Sequence, residues 1–262
     1  MPKINAPFIV KLLLGVLLSF VLNYSTSPQN YLIESTTVSL PTSQQIEEIA
    51  KSVTVRILSN SVAGSGVIIE RQGQIYTVIT NRHVVANNSD NHYNILTVDG
   101  KIHQGKWLFT NKFTDLDLAL IEFKSSQFYQ VAEIGDFNKL LIGETLYAAG
   151  FPNWQWLNQK EIESTQDWGN RAFILTVGKV GMLPKKSLKY GYQLGYTNDI
   201  FAGMSGGAVF NNFGKLVGIN GRMKYPLSGI ESFRFTDGTL PTQIVLKEME
   251  ALSWAIPVNW MK

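Results

Sequence analysis

One serine of this chain lies inside a run of glycines, a setting that suits a nucleophile. Residues 203–208 read Gly-Met-Ser-Gly-Gly-Ala. Glycines permit positive φ angles and let another group approach the backbone without meeting a Cβ atom. The backbone N–H groups of Gly203 and Ser205 could therefore converge on one developing oxyanion, as acyl transfer requires.

The order of residues separates two ways of activating this serine. In α/β-hydrolases the serine opens a helix and is followed by an acid and then a histidine. All three histidines, His83, His92 and His103, precede Ser205 here. Residues 208–219 also read as strand, turn and strand. The chain therefore favours the order histidine, acid, serine.

A base and an acid are available upstream of the serine. A β-branched strand over residues 76–80 runs into His83, and histidine is the commonest general base in enzymes. Asp115 and Asp117 precede an apolar strand. On a strand these two acids would face the same way, so spacing leaves both as candidates to orient the imidazole. His92 and His103 lie in no motif and are interpreted as ordinary surface or loop residues.

Three blocks taken together resemble those of trypsin-like serine proteases. They are Thr-Asn-Arg-His-Val-Val at residues 80–85, Asp-Leu-Ala-Leu at 117–120 and Gly-Met-Ser-Gly-Gly at 203–207. The chain is most similar to the bacterial, disulfide-free type, such as glutamyl endopeptidases and the protease domain of heat-shock serine proteases. The resemblance covers roughly residues 46–260.

The resemblance implies an endopeptidase with a catalytic triad and an acyl-enzyme intermediate. His83 is then the base, Asp117 the orienting acid and Ser205 the nucleophile, with Gly203 and Ser205 forming the oxyanion hole. The family pattern places the acid immediately before Leu-Ala-Leu, which favours Asp117 and leaves Asp115 as a solvated turn residue. The alternative is a binding protein that kept the fold and lost catalysis, but such descendants usually lose a triad residue and this chain keeps all three.

Substrate selectivity has two interpretations by the same resemblance. Asp199, six residues before Ser205, falls at the base of the pocket for the residue preceding the cut bond, where an acid could favour Lys or Arg. Asn220 falls where glutamyl endopeptidases carry the histidine that recognises an acidic residue, and Gly221 and Arg222 follow it. The wider similarity to the glutamyl group favours the second interpretation.

Met204 departs from the mammalian pattern, in which an aspartate precedes the serine and pairs with a newly cut N-terminus. A thioether cannot form that ion pair. We therefore expect the protein to be catalytically active without that activation step.

The elements that must position these residues are mostly short strands. β-Branched runs separated by turns recur over residues 53–123 and 145–219, a spacing typical of barrels and sandwiches. With the resemblance, they predict two packed six-stranded antiparallel β-barrels, at residues 45–135 and 136–262.

Smaller elements complete this prediction. Helices are expected at residues 45–52 and 241–253, the second with Val245, Met249 and Leu252 on its core face. A closing strand is expected at residues 255–257. The tryptophan-containing segment 153–170 is interpreted as a partly packed surface loop.

Composition limits the remaining possibilities. The 262 residues are 45% hydrophobic and 16% charged, with no cysteine, which excludes disulfides and cysteine metal sites. No metal or cofactor motif is present. Lys3 and Lys11 precede an apolar run at residues 12–22, so residues 1–27 are predicted to be a signal peptide or N-terminal anchor, followed by an irregular lead-in at 28–44.

The net charge indicates little about partners. Without residues 1–27 the chain keeps 21 of its 23 basic residues and all 20 acidic ones, a net charge of about +1. Nothing here favours nucleic acid. We expect a protein or peptide substrate, a secreted or periplasmic location, and a membrane contact only through the N-terminal segment.

Overall fold

The computed structural model describes residues 40–59, 63–86, 88, 90–158 and 160–259. The predicted signal segment, and the lead-in as far as residue 39, lie outside the described residues. No helix among the described residues is long and apolar enough to cross a membrane.

The first half of the chain forms one closed antiparallel barrel preceded by a helix. Its elements are α1 (Ser43–Val53), β1 (Thr54–Leu58), β2 (Ala63–Gln72), β3 (Ile75–Thr80), α2 (Arg82–Val85), β4 (His92–Leu96), β5 (Ile102–Leu108) and β6 (Ala119–Lys124). The strands close in the order β1-β2-β3-β6-β5-β4. α1 begins at a capping box, in which Thr42 and Gln45 each satisfy a backbone N–H of the other.

The second half forms a second closed barrel. Its elements are β7 (Thr145–Gly150), β8 (Trp154–Trp156), β9 (Ile162–Ser164), β10 (Ile174–Met182), β11 (Leu194–Tyr196), β12 (Ala208–Asn211), β13 (Leu216–Arg222), α3 (Gln243–Glu250) and β14 (Ser253–Pro257). The barrel order is β10-β11-β14-β13-β12-β7, and β8 and β9 form a separate hairpin. The predicted fold of two six-stranded barrels with a short C-terminal helix is confirmed.

Alternating apolar residues give the strands of these barrels one buried inner face. In the first barrel Val55, Ile57, Val78, Ile95 and Ile121 are all buried on the inner face. Their neighbours along each strand face outward or toward the second barrel, as a period of two requires.

The C-terminal helix differs from its prediction in length and in one face residue. α3 is shorter than the predicted range, because Thr242 caps its start and β14 begins at Ser253. Met249 is fully buried and Leu252 nearly so, as expected. Val245 is instead exposed, and Leu246 packs partly against the core in its place.

Candidate active site

Strand pairing brings His83 and Asp117 together. β3 and β6 are neighbours, and Thr80 at the end of β3 pairs with Ala119 at the start of β6. The helical turn α2 that follows β3 carries His83, and the turn that precedes β6 carries Asp117. The backbone N–H of His83 donates to Asp117 Oδ1 at 3.0 Å, and His83 Nδ1 lies 2.7 Å from Asp117 Oδ2.

Asn81 holds the backbone of Asp117 in this position. Its side-chain amide donates to the backbone carbonyl of Asp117 at 2.9 Å. Asp115 lies in the same turn but is exposed. Neither acid lies on a strand, so the expectation that both would face the same way does not apply, and the geometry favours Asp117.

The carboxylate of Asp117 is mostly buried but well supplied with donors. Its side chain is 14% exposed, against 48% for His83. A third donor, the hydroxyl of Tyr192, reaches Oδ2 at 2.6 Å. Burial alone would raise the pKa of Asp117, but the hydrogen bonds and charge of His83 and the hydrogen bond from Tyr192 outweigh it and lower that pKa. The carboxyl is therefore an anion at neutral pH.

The glycine-rich turn at residues 203–207 packs against the same end of β3. Gly206 has φ +84°, and a Cβ atom there would lie 2.1 Å from the backbone oxygen of Ser65 and 2.2 Å from Thr80 Oγ1. The same atom would lie 3.1 Å from the backbone nitrogen of Asn81. Only glycine fits here. This contact places the residue after Ser205 beside the chain that leads into His83.

Ser65 on β2 links the first barrel to this turn. Its hydroxyl donates to the carbonyl of Gly203 at 2.8 Å and accepts from the N–H of Phe151 at 2.9 Å. Its backbone N–H donates to the carbonyl of Ser205 at 2.8 Å. In the sequence, Ser65 is marked only by a Gly-Ser-Gly run at residues 64–66, and nothing in that run indicates this role.

Two backbone N–H groups of the turn have no acceptor within the part of the chain that the structure describes. Among the described residues, neither the N–H of Gly203 nor that of Ser205 donates a hydrogen bond, although Gly203 is buried and Ser205 half-buried. Met204 between them is fully buried in the second barrel's core, and its N–H donates to the Phe201 carbonyl at 2.9 Å. Within the described part of the chain, no hydrogen bond joins the Ser205 hydroxyl to His83. Such bonds are often long without substrate.

Two residues expected to line the substrate pocket have protein partners. Asp199 is exposed, and its Oδ1 lies 2.6 Å from the Lys224 ammonium. Asn220 is fully buried. Its amide donates to the carbonyl of Ala149 at 3.0 Å, and its Oδ1 accepts from the Tyr196 hydroxyl at 2.6 Å. The amide and the side-chain oxygen of Asn220 are thus both bonded to protein groups, whereas Asp199 is an exposed carboxylate paired with Lys224.

Gly221 and Arg222 lie beside Tyr192, whose hydroxyl donates to Asp117. The Arg222 guanidinium carbon is 4.3 Å from the centre of the Tyr192 ring, and its Nη1 donates to the Ser232 carbonyl. Burial lowers the pKa of Arg222, while Tyr192 and Asp117 nearby raise it. A Cβ atom at Gly221 would lie 2.4 Å from the Tyr192 hydroxyl.

The tryptophan-containing segment, interpreted from the sequence as a partly packed surface loop, instead forms the β8–β9 hairpin on the surface. Trp154 and Trp156 are 55% and 65% exposed and line an open pocket of about 340 Å³ together with Phe201. The hairpin is anchored from the first barrel, where the buried Arg56 donates to the Thr165 carbonyl at 2.8 Å and to its hydroxyl at 2.9 Å.

The other two histidines have separate environments. His92 is exposed on β4. His103 on β5 stacks 5.0 Å from the Phe123 ring and bonds the Tyr129 hydroxyl at 2.8 Å, and burial lowers its pKa. His103 is therefore a strand residue in an aromatic cluster. Among the described residues, no group of three His, Cys, Asp or Glu side chains could hold a metal ion.

Comparison with known proteins agrees with this geometry. Residues 64–219 match the trypsin-like peptidase domain family. The chain belongs to that family.

Relatives of known sequence are serine proteases of the HtrA-like type. The chain is 28% identical over 195 residues to "Serine protease HtrA-like" of Staphylococcus aureus strain bovine RF122 / ET3-1, and 29% identical over 195 residues to that of strain MRSA252. Each match covers 73% of this chain and 24% of the relative. The chain thus spans about a quarter of the length of these relatives.

Proposed function

We propose that the protein is a serine endopeptidase that uses His83, Asp117 and Ser205 as a catalytic triad. The observation that carries this proposal is the pair of hydrogen bonds from His83 to Asp117, formed where the glycine-rich turn packs against β3. A carboxylate can only accept, so Nδ1 of His83 is the nitrogen that carries the proton. Nε2 is then left to accept a proton from the Ser205 hydroxyl.

The reaction follows from these roles. Ser205 Oγ attacks the carbonyl carbon of a peptide bond while its proton passes to His83 Nε2. The N–H groups of Gly203 and Ser205, which donate to no other acceptor among the described residues, stabilise the oxyanion. His83 then gives its proton to the departing amine, and an acyl-enzyme remains on Ser205. Water, activated by His83, attacks this ester and releases the second product.

The turn needs no newly formed N-terminus in this proposal. Met204 is buried in the core, and Ser65 already bonds both Gly203 and Ser205. The full-length chain and a chain without residues 1–27 should therefore both react once folded. We also propose that residues 1–27 direct export, to the periplasm or the medium, which cell fractionation and N-terminal sequencing of the recovered protein would test.

A fluorophosphonate probe tests the central proposal, because it labels an activated serine whatever the substrate selectivity. The wild-type protein should be labelled and should hydrolyse a denatured protein substrate. Ser205→Ala should lose labelling and lower hydrolysis by about 10⁴- to 10⁶-fold, with unchanged thermal stability. Ser228→Ala, which changes an exposed serine with no capping hydrogen bond, is the matched control.

The outcomes separate the two candidate functions. A folded wild-type protein that is not labelled would refute the triad and favour a binding protein with a silent site. Equal labelling of the Ser205→Ala variant would move the nucleophile elsewhere.

A further inference from the structure

One oxygen of Asp117 accepts two side-chain hydrogen bonds that come from different barrels. Oδ2 lies 2.7 Å from His83 Nδ1 and 2.6 Å from the Tyr192 hydroxyl. Tyr192 precedes β11 of the second barrel and is 3% exposed. Its phenol therefore lies behind the acid, shielded from solvent.

The backbone around Tyr192 is shaped to bring the phenol to this point. The N–H of Asp117 donates to the carbonyl of Tyr190 at 3.0 Å, so the two segments are tied together by backbone as well as side chains. Tyr190 itself has φ +69°, an uncommon value for a residue with a side chain, and Gly191 has φ +88°. A Cβ atom at Gly191 would lie 2.5 Å from a methyl group of Leu116.

Two residues of β13 complete the enclosure. A Cβ atom at Gly221 would lie 2.4 Å from the Tyr192 hydroxyl and 2.7–2.9 Å from neighbouring ring atoms, so the absence of a side chain there leaves room for the phenol. The Arg222 guanidinium covers the ring face at 4.3 Å, and it is itself held by the Ser232 carbonyl. A cation over an aromatic face is attracted by the ring quadrupole.

We propose that Tyr192 is a positioning residue for the triad acid, and that Gly221 and Arg222 hold its phenol in place rather than lining the substrate pocket. The proposal rests on the triad assigned above. It replaces the pocket role that the sequence suggested for Gly221 and Arg222.

The phenol is suited to act as a permanent donor. Burial raises the pKa of Tyr192 well above its ordinary value, and Asp117 raises it further while Arg222 lowers it. The hydroxyl therefore keeps its proton at every pH at which the enzyme would work. The charged or titratable groups that face this pair are His83, Arg222 and Tyr196.

The consequence for catalysis is a fixed carboxylate. Oδ1 accepts the backbone N–H of His83, and Oδ2 accepts both the imidazole and the phenol. If the phenol is removed, the carboxylate can rotate and the imidazole is held less firmly in the tautomer that the reaction needs. The loss should appear in kcat, since Tyr192 is buried behind Asp117 and no part of the substrate is expected to touch it.

The test is Tyr192→Phe, which keeps the ring and its stacking on Arg222 and removes only the hydroxyl. We expect kcat for a peptide substrate to fall about 10- to 100-fold, the rate equivalent of one hydrogen bond to a charged group, with KM unchanged. The proton resonance of His83 Nδ1–H in one-dimensional NMR should also shift. Tyr76→Phe is the matched control, because Tyr76 is fully buried and its hydroxyl bonds the Gln127 carbonyl at 2.8 Å in the first barrel.

A double-variant comparison distinguishes positioning from a general loss of structure. If Tyr192 acts through Asp117, then Tyr192→Phe should cost less than about twofold in an Asp117→Asn background. A second variant, Gly221→Ala, should push the hydroxyl away from Asp117 and lower kcat in the same direction. Its effect should be smaller when the hydroxyl has already been removed.

Each result decides one question. Wild-type kcat in Tyr192→Phe, or the same loss with and without Asp117, would overturn the positioning role. Failure of the wild-type protein to react with the fluorophosphonate probe would instead overturn the triad on which the inference rests.

Discussion

Replacing Ser65 with alanine should show how strongly the first barrel holds the glycine-rich turn of the second barrel at residues 203–207. Ser65 is fully buried, and its hydroxyl makes two hydrogen bonds, one to the Gly203 carbonyl and one from the Phe151 N–H. Alanine fits the same space but leaves both backbone groups without these partners. A buried group deprived of its partner costs about 1–3 kcal/mol, so for these two groups we expect a loss of about 2–6 kcal/mol in the free energy of unfolding.

That loss should be visible in two measurements. At about 2–4 °C per kcal/mol for a chain of this size, Tm should fall by roughly 4–24 °C. Reaction with the fluorophosphonate probe, measured well below Tm, should slow by about 5- to 30-fold. The reason is that the hydrogen bond from the Ser65 hydroxyl to the Gly203 carbonyl stabilises, by about 1–2 kcal/mol, the conformation in which the turn can bind an oxyanion.

Ser253→Ala provides the control for this experiment. Ser253 is also fully buried, but its hydroxyl donates to the Asn198 carbonyl at 2.8 Å, outside the catalytic turn. We expect this variant to lose stability while its folded form reacts with the probe at the wild-type rate. If Ser65→Ala lost stability and yet reacted at the wild-type rate, the turn would be held by other contacts and our interpretation of Ser65 would be refuted.

Three further predictions concern acidic residues. Asp117→Asn should lower kcat by about 10⁴-fold because it favours the wrong imidazole tautomer, whereas Asp115→Asn in the same turn should stay within about twofold; peptide hydrolysis would show a reversal. Partial burial alone would raise the pKa of Asp99, but hydrogen bonds to its carboxylate outweigh burial and lower that pKa to about 2. Its contribution to stability is therefore complete above about pH 4 and disappears as the pH falls through 2. Since its side chain is 32% exposed, Asp99→Asn should cost less than about 1 kcal/mol by urea unfolding at pH 7 and nothing below pH 2. Because Asp199 is paired with Lys224, a peptide library should show less than about tenfold preference for a charged residue before the cut bond, and strict cleavage after Lys or Arg would contradict this.

The fold and the order of the site could be predicted because their signals are local. Short runs of β-branched residues bounded by turns are typical of antiparallel strands, and the first barrel follows them closely. The blocks around His83, Asp117 and Ser205 each lie within a few consecutive residues, at strand ends or in turns. Even the error at Val245 is a local one: the face of α3 was assigned correctly at Met249, but the buried side of the helix includes Leu246 and not its neighbour Val245.

The contacts between side chains could not be predicted because they join distant parts of the chain. Ser65 and Gly203 are separated by 138 residues, and Tyr192 and Asp117 by 75. A serine between two glycines and a tyrosine before a short strand look ordinary until the barrels are assembled. The stacking of the Arg222 guanidinium on Tyr192 is another contact of this kind, between residues 30 positions apart.

The supporting contacts of the candidate site are exchanged between the two barrels. His83 and Asp117 belong to the first barrel, but Tyr192 of the second barrel supports the acid. Ser205 belongs to the second barrel, but Ser65 of the first barrel bonds its carbonyl and that of Gly203. Each barrel supplies a contact that orients a residue of the other barrel. Neither barrel by itself therefore contains all the residues that orient the candidate triad. The geometry of the candidate triad is therefore a property of the packed pair, which is why Ser65 and Tyr192 have no signature of their own in the sequence.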